Sequence, residues 1–352
     1  MTGVTAGPAL TDGSATRGAK RPIGTSTSGR GDADRRPSRR LAWAELLRLP
    51  ALFTVPGDAL AGAAATATTP NSRTLLAIGS SLCLYEAGMA LNDWADREED
   101  AAERPHRPLP SGRIHQAAAL STACVLTGAG LALAARAGRP ALAVAVPLAA
   151  TVWAYDLTLK HTAAGPPAMA AARGLDLLLG AAATAGRVHE ALPSAAVLGT
   201  HTLAVTTVSR RETTGGSPVP PLAALATTAL LTRLLTHRPL AGTRAAAAHG
   251  LPDTGTDTAP PARTAHHPSR SATDTLRLAL AAGYAATAGR RYFHAALNPS
   301  PPLVQRAVGG GIRATIPLQA ALTARSGAGT TAVLIAALAP LGRRFARKVS
   351  VT

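Results

Sequence analysis

Apolar stretches of helical length recur along the chain, near 50–68, 74–94, 116–137, 140–157, 167–185, 193–208, 219–236, 275–296, 303–324 and 329–343. A run of about 20 apolar residues is what a helix needs to cross a bilayer. The pattern predicts an all-α, polytopic membrane bundle of eight to ten transmembrane helices. Several stretches are rich in Ala, Gly, Ser and Thr, which let helices approach closely within a membrane. The stretch at 303–324 carries Arg306, Arg313 and Gln319 and is the most polar of the set. Two regions break the pattern. Residues 1–40 hold no apolar run and close on Arg35, Arg36, Arg39 and Arg40. They read as a disordered basic tail, without the apolar segment of a cleaved secretory signal. Residues 238–273 are rich in Pro, Thr, Ala and His, and read as a flexible, exposed insertion in a membrane domain spanning 41–349.

Composition supports this division. Hydrophobic residues make up 47% and charged residues 16%, with a mean hydropathy of +0.14. A soluble domain averages about 25% charged residues, which argues against a soluble enzyme and against wholesale disorder. Cys83 and Cys124 lie in apolar runs without CxxC spacing, which rules out a disulfide framework and a zinc motif. The formal net charge of +17 would suggest nucleic acid in a soluble protein. Here aromatics are only 3%, and the cations gather in the tails and between the apolar stretches. The positive-inside rule accounts for that distribution without a nucleic-acid partner. It predicts a multi-pass protein of the cell membrane, with the loops around Arg104, Lys160 and Arg210 in the cytoplasm and the 238–273 insertion on the far side.

Chemistry concentrates between Leu91 and Arg113, in LNDWADREEDAAERPHRPLPSGR. At ~100° per residue, Asn92, Asp93, Asp96 and Asp100 share roughly a 100° arc of one helix face. Converging carboxylates repel one another and call for a counter-charge. Hard oxygen ligands suit Mg²⁺, which binds a few carboxylates together with substrate phosphates. An acidic, solvated helix end would show the same residues. The following Arg107-Pro108-Leu109-Pro110-Ser111-Gly112 adds a cation and a tight turn, and carboxylates, metal and arginine together make a diphosphate clamp.

NDxxDxxxD followed by RPLPSG resembles the UbiA superfamily of intramembrane prenyltransferases, the 4-hydroxybenzoate polyprenyltransferase-like enzymes. The resemblance covers most of 41–349 outside the insertion. The stretch from Trp153 to Gly180 and the end from Arg343 to Thr352 are most similar to the subgroup found in bacterial Ebo-type operons. The resemblance implies that Asn92, Asp93, Asp96 and Asp100 hold Mg²⁺ against an isoprenyl diphosphate. Arg107 and Lys160 would bind the diphosphate; an ordinary interfacial lysine is the other reading of Lys160. The second acidic motif of the family is degenerate here. Only Glu212 remains, beside Arg210 and Arg211, so a second Mg²⁺ is in doubt. The arginines either bind diphosphate oxygens directly or mark a cytoplasmic loop.

Other polar residues stand inside apolar runs, where ionisable groups usually face the bundle interior and pair. Arg173 and Asp176 are expected to form an i,i+3 pair or to line the pocket. Asp58 and Glu86 are expected as hydrogen-bonded structural carboxylates, with an acceptor-orienting or basic role as the alternative. Tyr155 suits either the acceptor or an interfacial aromatic belt. His266-His267 lack metal partners nearby. Gly309-Gly310-Gly311 suits close helix packing or a hinge. The implied reaction is Mg²⁺-dependent transfer of an isoprenyl group from its diphosphate to an aromatic, alcohol or other nucleophilic acceptor within the bilayer. Phosphoribosyl transfer to a polyprenyl phosphate, and a non-catalytic transporter or scaffold, are the alternatives.

Overall fold

The computed structural model describes residues 39–237 and 268–349. The tail expected over 1–40, save Arg39 and Arg40, which begin the first helix, and most of the insertion expected over 238–273 lie outside these residues. Its last six residues do not belong to it, since helix begins at Pro268. The described residues contain helices and no strands. Their order is α1 (Arg39–Leu46), α2 (Pro56–Ala65), α3 (Ser72–Ala95), α4 (Arg97–Glu103), α5 (Gln116–Ala137), α6 (Arg139–Ala154), α7 (Gly165–Ala185), α8 (Leu192–Ser209), α9 (Val219–Thr236), α10 (Pro268–Leu297), α11 (Pro301–Arg325) and α12 (Gly329–Val349). Short 3₁₀ turns at Leu49–Thr54 and His189–Ala191, and a π turn at Tyr155–Leu159, complete the set.

Local sequence explains the boundaries. Asn71 caps α3, its side chain accepting from the Arg73 and Thr74 amides (2.9 and 3.3 Å) while Thr74 Oγ1 accepts from the Asn71 amide at 2.9 Å. Such a cap is worth about 1 kcal/mol. The Thr74 hydroxyl also meets that of Thr184 at 2.8 Å, tying the start of α3 to the end of α7. Pro56 opens α2, and Gly138 at φ 134° separates α5 from α6.

Six helices are long and apolar enough to cross a membrane: Ser72–Ala95, Gln116–Ala137, Arg139–Leu159, Gly165–Ala185, His189–Ser209 and Val219–Thr236. The apolar stretch expected at 50–68 is broken into the 3₁₀ turn and the ten-residue α2. Helices α10, α11 and α12 have 30, 25 and 21 residues but carry arginines along their length. Packing proceeds between chain neighbours, α3 on α5, α6 on α7, α7 on α8, α9 on α10 and α10 on α11, with α2 against α7 and α11 against α8 closing the bundle. Where α2 crosses α7, a side chain on Gly62 would overlap the Leu177 carbonyl, and one on Gly180 the Ala59 backbone. Two small residues let the backbones touch there. The core is Ala-rich, with Tyr284, Tyr292, Leu177, Leu198 and Leu318 among its fully buried side chains.

Candidate functional site

The acidic residues expected to work together sit where α3 passes into α4. Asp96 is the joint, at φ −87° and ψ 4°. Its amide still bonds the Asn92 carbonyl (2.9 Å) and the Asp100 amide bonds the Asp96 carbonyl (2.8 Å), so the helical path is nearly continuous. The four side chains nevertheless divide into two sets. Asp93 and Asp100, both buried, face the arginines. Arg107 Nη1 lies 2.7 Å from Asp100 and 3.7 Å from Asp93, and Arg104 Nη1 lies 3.5 Å from Asp100. Arg48 reaches Asp93 at 3.2 Å. Asn92 and Asp96 instead face α6 and its π turn. Asn92 donates to Asp156 at 3.1 Å, and Lys160 pairs with Asp96.

The RPLPSG loop holds Arg107 in place through its own backbone. The Ser111 amide and hydroxyl both donate to the Arg107 carbonyl, at 3.0 and 2.6 Å. Gly112 takes φ 71°, a left-handed conformation that suits glycine. Arg113 bonds Glu45 at 2.7 Å and the His106 carbonyl at 2.6 Å, fastening the loop to α1.

A second loop is joined to the first group from the far side. The Arg210 guanidinium donates to the carbonyls of Thr162, Lys160 and His161 at 2.6, 3.3 and 3.4 Å. It fixes the segment that presents Lys160. Arg211 is exposed. Glu212 is half-buried; burial pushes its carboxyl upward from the ordinary glutamate range, and nearby Arg104 opposes that rise.

The residues present fit a divalent cation. Asp93 and Asp100 already share one positively charged nitrogen, and Asp96 at the same helix end pairs with Lys160. Asp96, Glu99 and His161 also bring one ligand atom each within 4.8 Å of one another.

Beneath this cluster a cavity of about 550 Å³ runs into the bundle. Arg48, Asn92, Tyr155 and Asp156 line its polar mouth, and Leu84, Met89, Leu148, Val152, Val205 and Ile312 line its apolar interior. Its deep end is polar again, with Ser81, Arg173 and Asp176. The i,i+3 pair expected between Arg173 and Asp176 is not formed. Arg173 Nε pairs with Asp58 at 3.1 Å and its Nη2 donates to the Thr54 carbonyl at 3.2 Å. Asp176 accepts from Ser81. The close α2–α7 crossing brings Asp58, and not Asp176 of its own helix, into ion-pair distance of Arg173. Gln319 of α11 donates to Asp58 and to the Thr54 carbonyl, both at 2.7 Å. Asp58 is thus the bonded structural carboxylate expected. Glu86, 7% exposed, has no hydrogen-bond partner for either oxygen among the described residues. His201 also lines the cavity, but both its nitrogens are engaged, by Tyr284 at 3.2 Å and the Gly311 carbonyl at 3.1 Å.

Sequence reasoning missed Arg48, Asp156, Ser81, Gln319 and His161. An acid beside Tyr155 in an apolar run was the available signal for Asp156. Arg48 carried none, because it looks like any arginine beside a membrane helix.

A helical membrane bundle with an acidic and basic cluster over an apolar cavity is the architecture of an intramembrane prenyl-transfer protein. The chain belongs to the UbiA prenyltransferase family, whose model matches residues 51–241. Among curated relatives, a digeranylgeranylglyceryl phosphate synthase of Ignicoccus hospitalis is 32% identical over 41% of this chain and 48% of its own. The bacteriochlorophyll synthase 33 kDa chain of Rhodobacter capsulatus is 35% identical over 26% of this chain and 32% of its own. The chain spans between a third and a half of the first of these relatives, 32% to 48% of their lengths. Similarity of fold extends further. A UbiA homologue from Archaeoglobus fulgidus, solved with DMAPP and Mg²⁺, superposes with a TM-score of 0.54 at 17% identity, covering 88% of this chain and 99% of its own. A digeranylgeranylglyceryl phosphate synthase structure gives 0.55 at 17% identity over 82% and 99%. Family and apolar helices together make the chain an integral membrane protein.

Proposed function

We propose that the protein transfers an isoprenyl group from an isoprenyl diphosphate to a nucleophilic acceptor inside the bilayer, with Mg²⁺. The observation that carries this reading is the shared placement of Asp93 and Asp100 around the Arg107 nitrogen, above a cavity that is apolar within. Asp93, Asp96, Asp100 and Asn92 would hold the metal. Bound there, Mg²⁺ would neutralise the diphosphate as it leaves.

The chain's own residues supply the remaining functions. Arg107, Arg48 and Lys160, freed from carboxylates that take up a metal, would turn their donors to diphosphate oxygens. Charge developing on the leaving group is then met by groups already in position. The apolar walls from Leu84 to Val205 exclude water, so the allylic carbon reacts with the acceptor and not with solvent. Arg210 serves this arrangement as a positioning residue, through its hold on the segment that carries Lys160. Tyr155 lies at the junction between mouth and interior, where the acceptor would approach.

Relatives are named for different products, digeranylgeranylglyceryl phosphate and bacteriochlorophyll. An aromatic or an alcohol acceptor is therefore proposed by class alone. We also propose ten membrane-crossing segments, α2 with its preceding turn and then α3 and α5 to α12, with the loops around Arg104, Lys160 and Arg210 in the cytoplasm of a cell-membrane protein. The deciding experiment measures diphosphate release by the purified protein from a panel of allylic diphosphates, with and without Mg²⁺ and candidate acceptors. Metal-dependent release that Asp93→Asn, Asp96→Asn and Asp100→Asn each abolish is the expected result. Release that persists in all three variants would refute the assignment.

A further inference from the structure

From Thr275 to Thr352 the sequence contains no aspartate or glutamate, yet it holds ten cations: Arg277, Arg290, Arg291, Arg306, Arg313, Arg325, Arg343, Arg344, Arg347 and Lys348. Arg277 pairs with Asp274 at 3.5 Å. Arg291, Arg313 and Arg343 are exposed and have no acidic partner among the described residues.

These three arginines gather at one level. Three residues link α10 to α11 and three link α11 to α12, so the end of α10, the start of α11 and the end of α12 lie at the same end of the bundle. Arg291 stands six residues before Leu297, and Arg343 six residues before Val349. At ~1.5 Å per residue each is about 9 Å inside its helix end. Arg313 is rooted deeper, but its guanidinium folds back over Gly309, with Nη1 3.4 Å from where a β-carbon would stand. That brings it to roughly 12 Å from the start of α11. Arg291 lies across Gly310, its Cγ 2.7 Å from the β-carbon position there. Arg291 and Arg343 are both near enough to act electrostatically on Arg313. The adjacent glycines leave the room that the Arg291 and Arg313 side chains occupy.

Ionisable groups within membrane segments usually pair, and these three have no acid to pair with among the described residues. A guanidinium offers paired donors matched to phosphate oxygens, and basic pockets between membrane helices bind anionic headgroups. We propose that Arg291, Arg313 and Arg343, set over Gly309 and Gly310, form a binding site for the phosphate headgroup of an anionic glycerophospholipid of the surrounding bilayer. The site is separate from the acidic cluster and does not depend on the proposed reaction. Phosphate is the chemistry recognised, and the bilayer is its source.

The test uses the full-length protein in detergent and in nanodiscs. Native mass spectrometry would count bound phosphatidylglycerol against phosphatidylcholine, and thermal unfolding would be followed with either lipid or with inorganic phosphate. Selective retention of phosphatidylglycerol, with a melting temperature raised by several degrees by that lipid and not by phosphate, is expected. The triple variant Arg291→Gln/Arg313→Gln/Arg343→Gln should lose both effects, and the triple Lys variant should keep only part of them. If the Gln variant fails to fold, the wild-type comparison of the two lipids and phosphate decides. Equal binding of the two lipids, or full retention by the Gln variant, would overturn the proposal. Stabilisation by phosphate equal to that by the lipid would do so too, and so would displacement of the lipid by geranyl diphosphate.

Discussion

At the scale of single residues, the deep end of the cavity is the most demanding place in the molecule. Asp58 is fully buried and relies on Arg173 and Gln319. Removing one partner of a buried pair leaves an uncompensated charge and typically costs 3–5 kcal/mol, roughly, whereas replacing both with apolar residues is often close to neutral. Arg173→Met should therefore destabilise the protein strongly, and Asp58→Leu/Arg173→Met should recover much of the loss. Thermal unfolding in detergent checks this, and equal stability of the single and double variants would contradict it. At the mouth, Asp93→Asn, Asp96→Asn and Asp100→Asn should each lower diphosphate release by about 100-fold or more, as losing a metal ligand does. Membrane insertion should be unchanged, as judged by yield and monodispersity. The motif made Asp93, Asp96 and Asp100 legible beforehand. Their partners were not. Arg48 sits at φ 47° in a left-handed turn after α1, a conformation that costs an arginine ~1–2 kcal/mol and that no local residue pattern announces. Asp58 meets Arg173 only because two glycines let α2 and α7 touch, a fact of packing between segments more than a hundred residues apart.

At the scale of elements, every apolar stretch read from the chain became helical, and the departures have physical causes. Pro50 and Pro56 break the first stretch, since each removes a backbone donor, and the result is a 3₁₀ turn followed by a short α2. The α2–α7 crossing makes a prediction of its own. Gly180→Leu would force the two backbones apart, and overpacking of this kind costs typically 1–3 kcal/mol, roughly. A lowered melting temperature is expected, with Gly283→Leu as a control because open space surrounds that position. The loop after α8 gives a prediction in pH. Burial raises the Glu212 carboxyl in the folded protein. The protonated form is therefore the one folding favours. Its contribution is complete below the ordinary glutamate range and is lost as pH rises through the raised value. Proteolytic nicking near Thr213 should increase across that window in wild type and become independent of pH there in Glu212→Gln. The same variant separates two readings of this loop. Arg210→Ala should weaken substrate binding with Mg²⁺ dependence nearly unchanged, because it releases the Lys160 segment; Glu212→Gln should leave both nearly as they were. A raised Mg²⁺ requirement in Glu212→Gln would show that the carboxylate still serves a metal.

At the scale of the whole molecule, the loops after α6 and α8 and the link between α10 and α11 lie together at one end. The Gly216 amide donates to the Pro299 carbonyl at 2.8 Å, joining the loop after α8 to the α10–α11 link. Arg210 joins that loop to the segment after α6. Cysteines placed at Ser111, Thr162 and Ser300, in a background lacking Cys83 and Cys124, should all be labelled from the same side of the membrane. The proposed orientation makes that side the cytoplasm. Labelling of any of them from outside intact cells would reverse it.

The π turn at Tyr155–Leu159 has a consequence for how this chain can vary in length. Such a turn is an α-helix that has accommodated one additional residue. Substitutions at Leu157 or Thr158, both exposed, leave that inserted residue in place. Removing either would let the helix anneal into a regular α-helix, in which the Lys160 amide, now bonded to the Tyr155 carbonyl at 2.9 Å across the π turn, keeps that partner as an ordinary helical bond, so the chain after the deletion faces nearly the same way. Tyr155 and Asp156 would stay where they are, Lys160 would still face Asp96, and the Arg210 anchor would keep its carbonyls. This segment is therefore a place where the chain can shorten by one residue and keep the facing of the helix that follows.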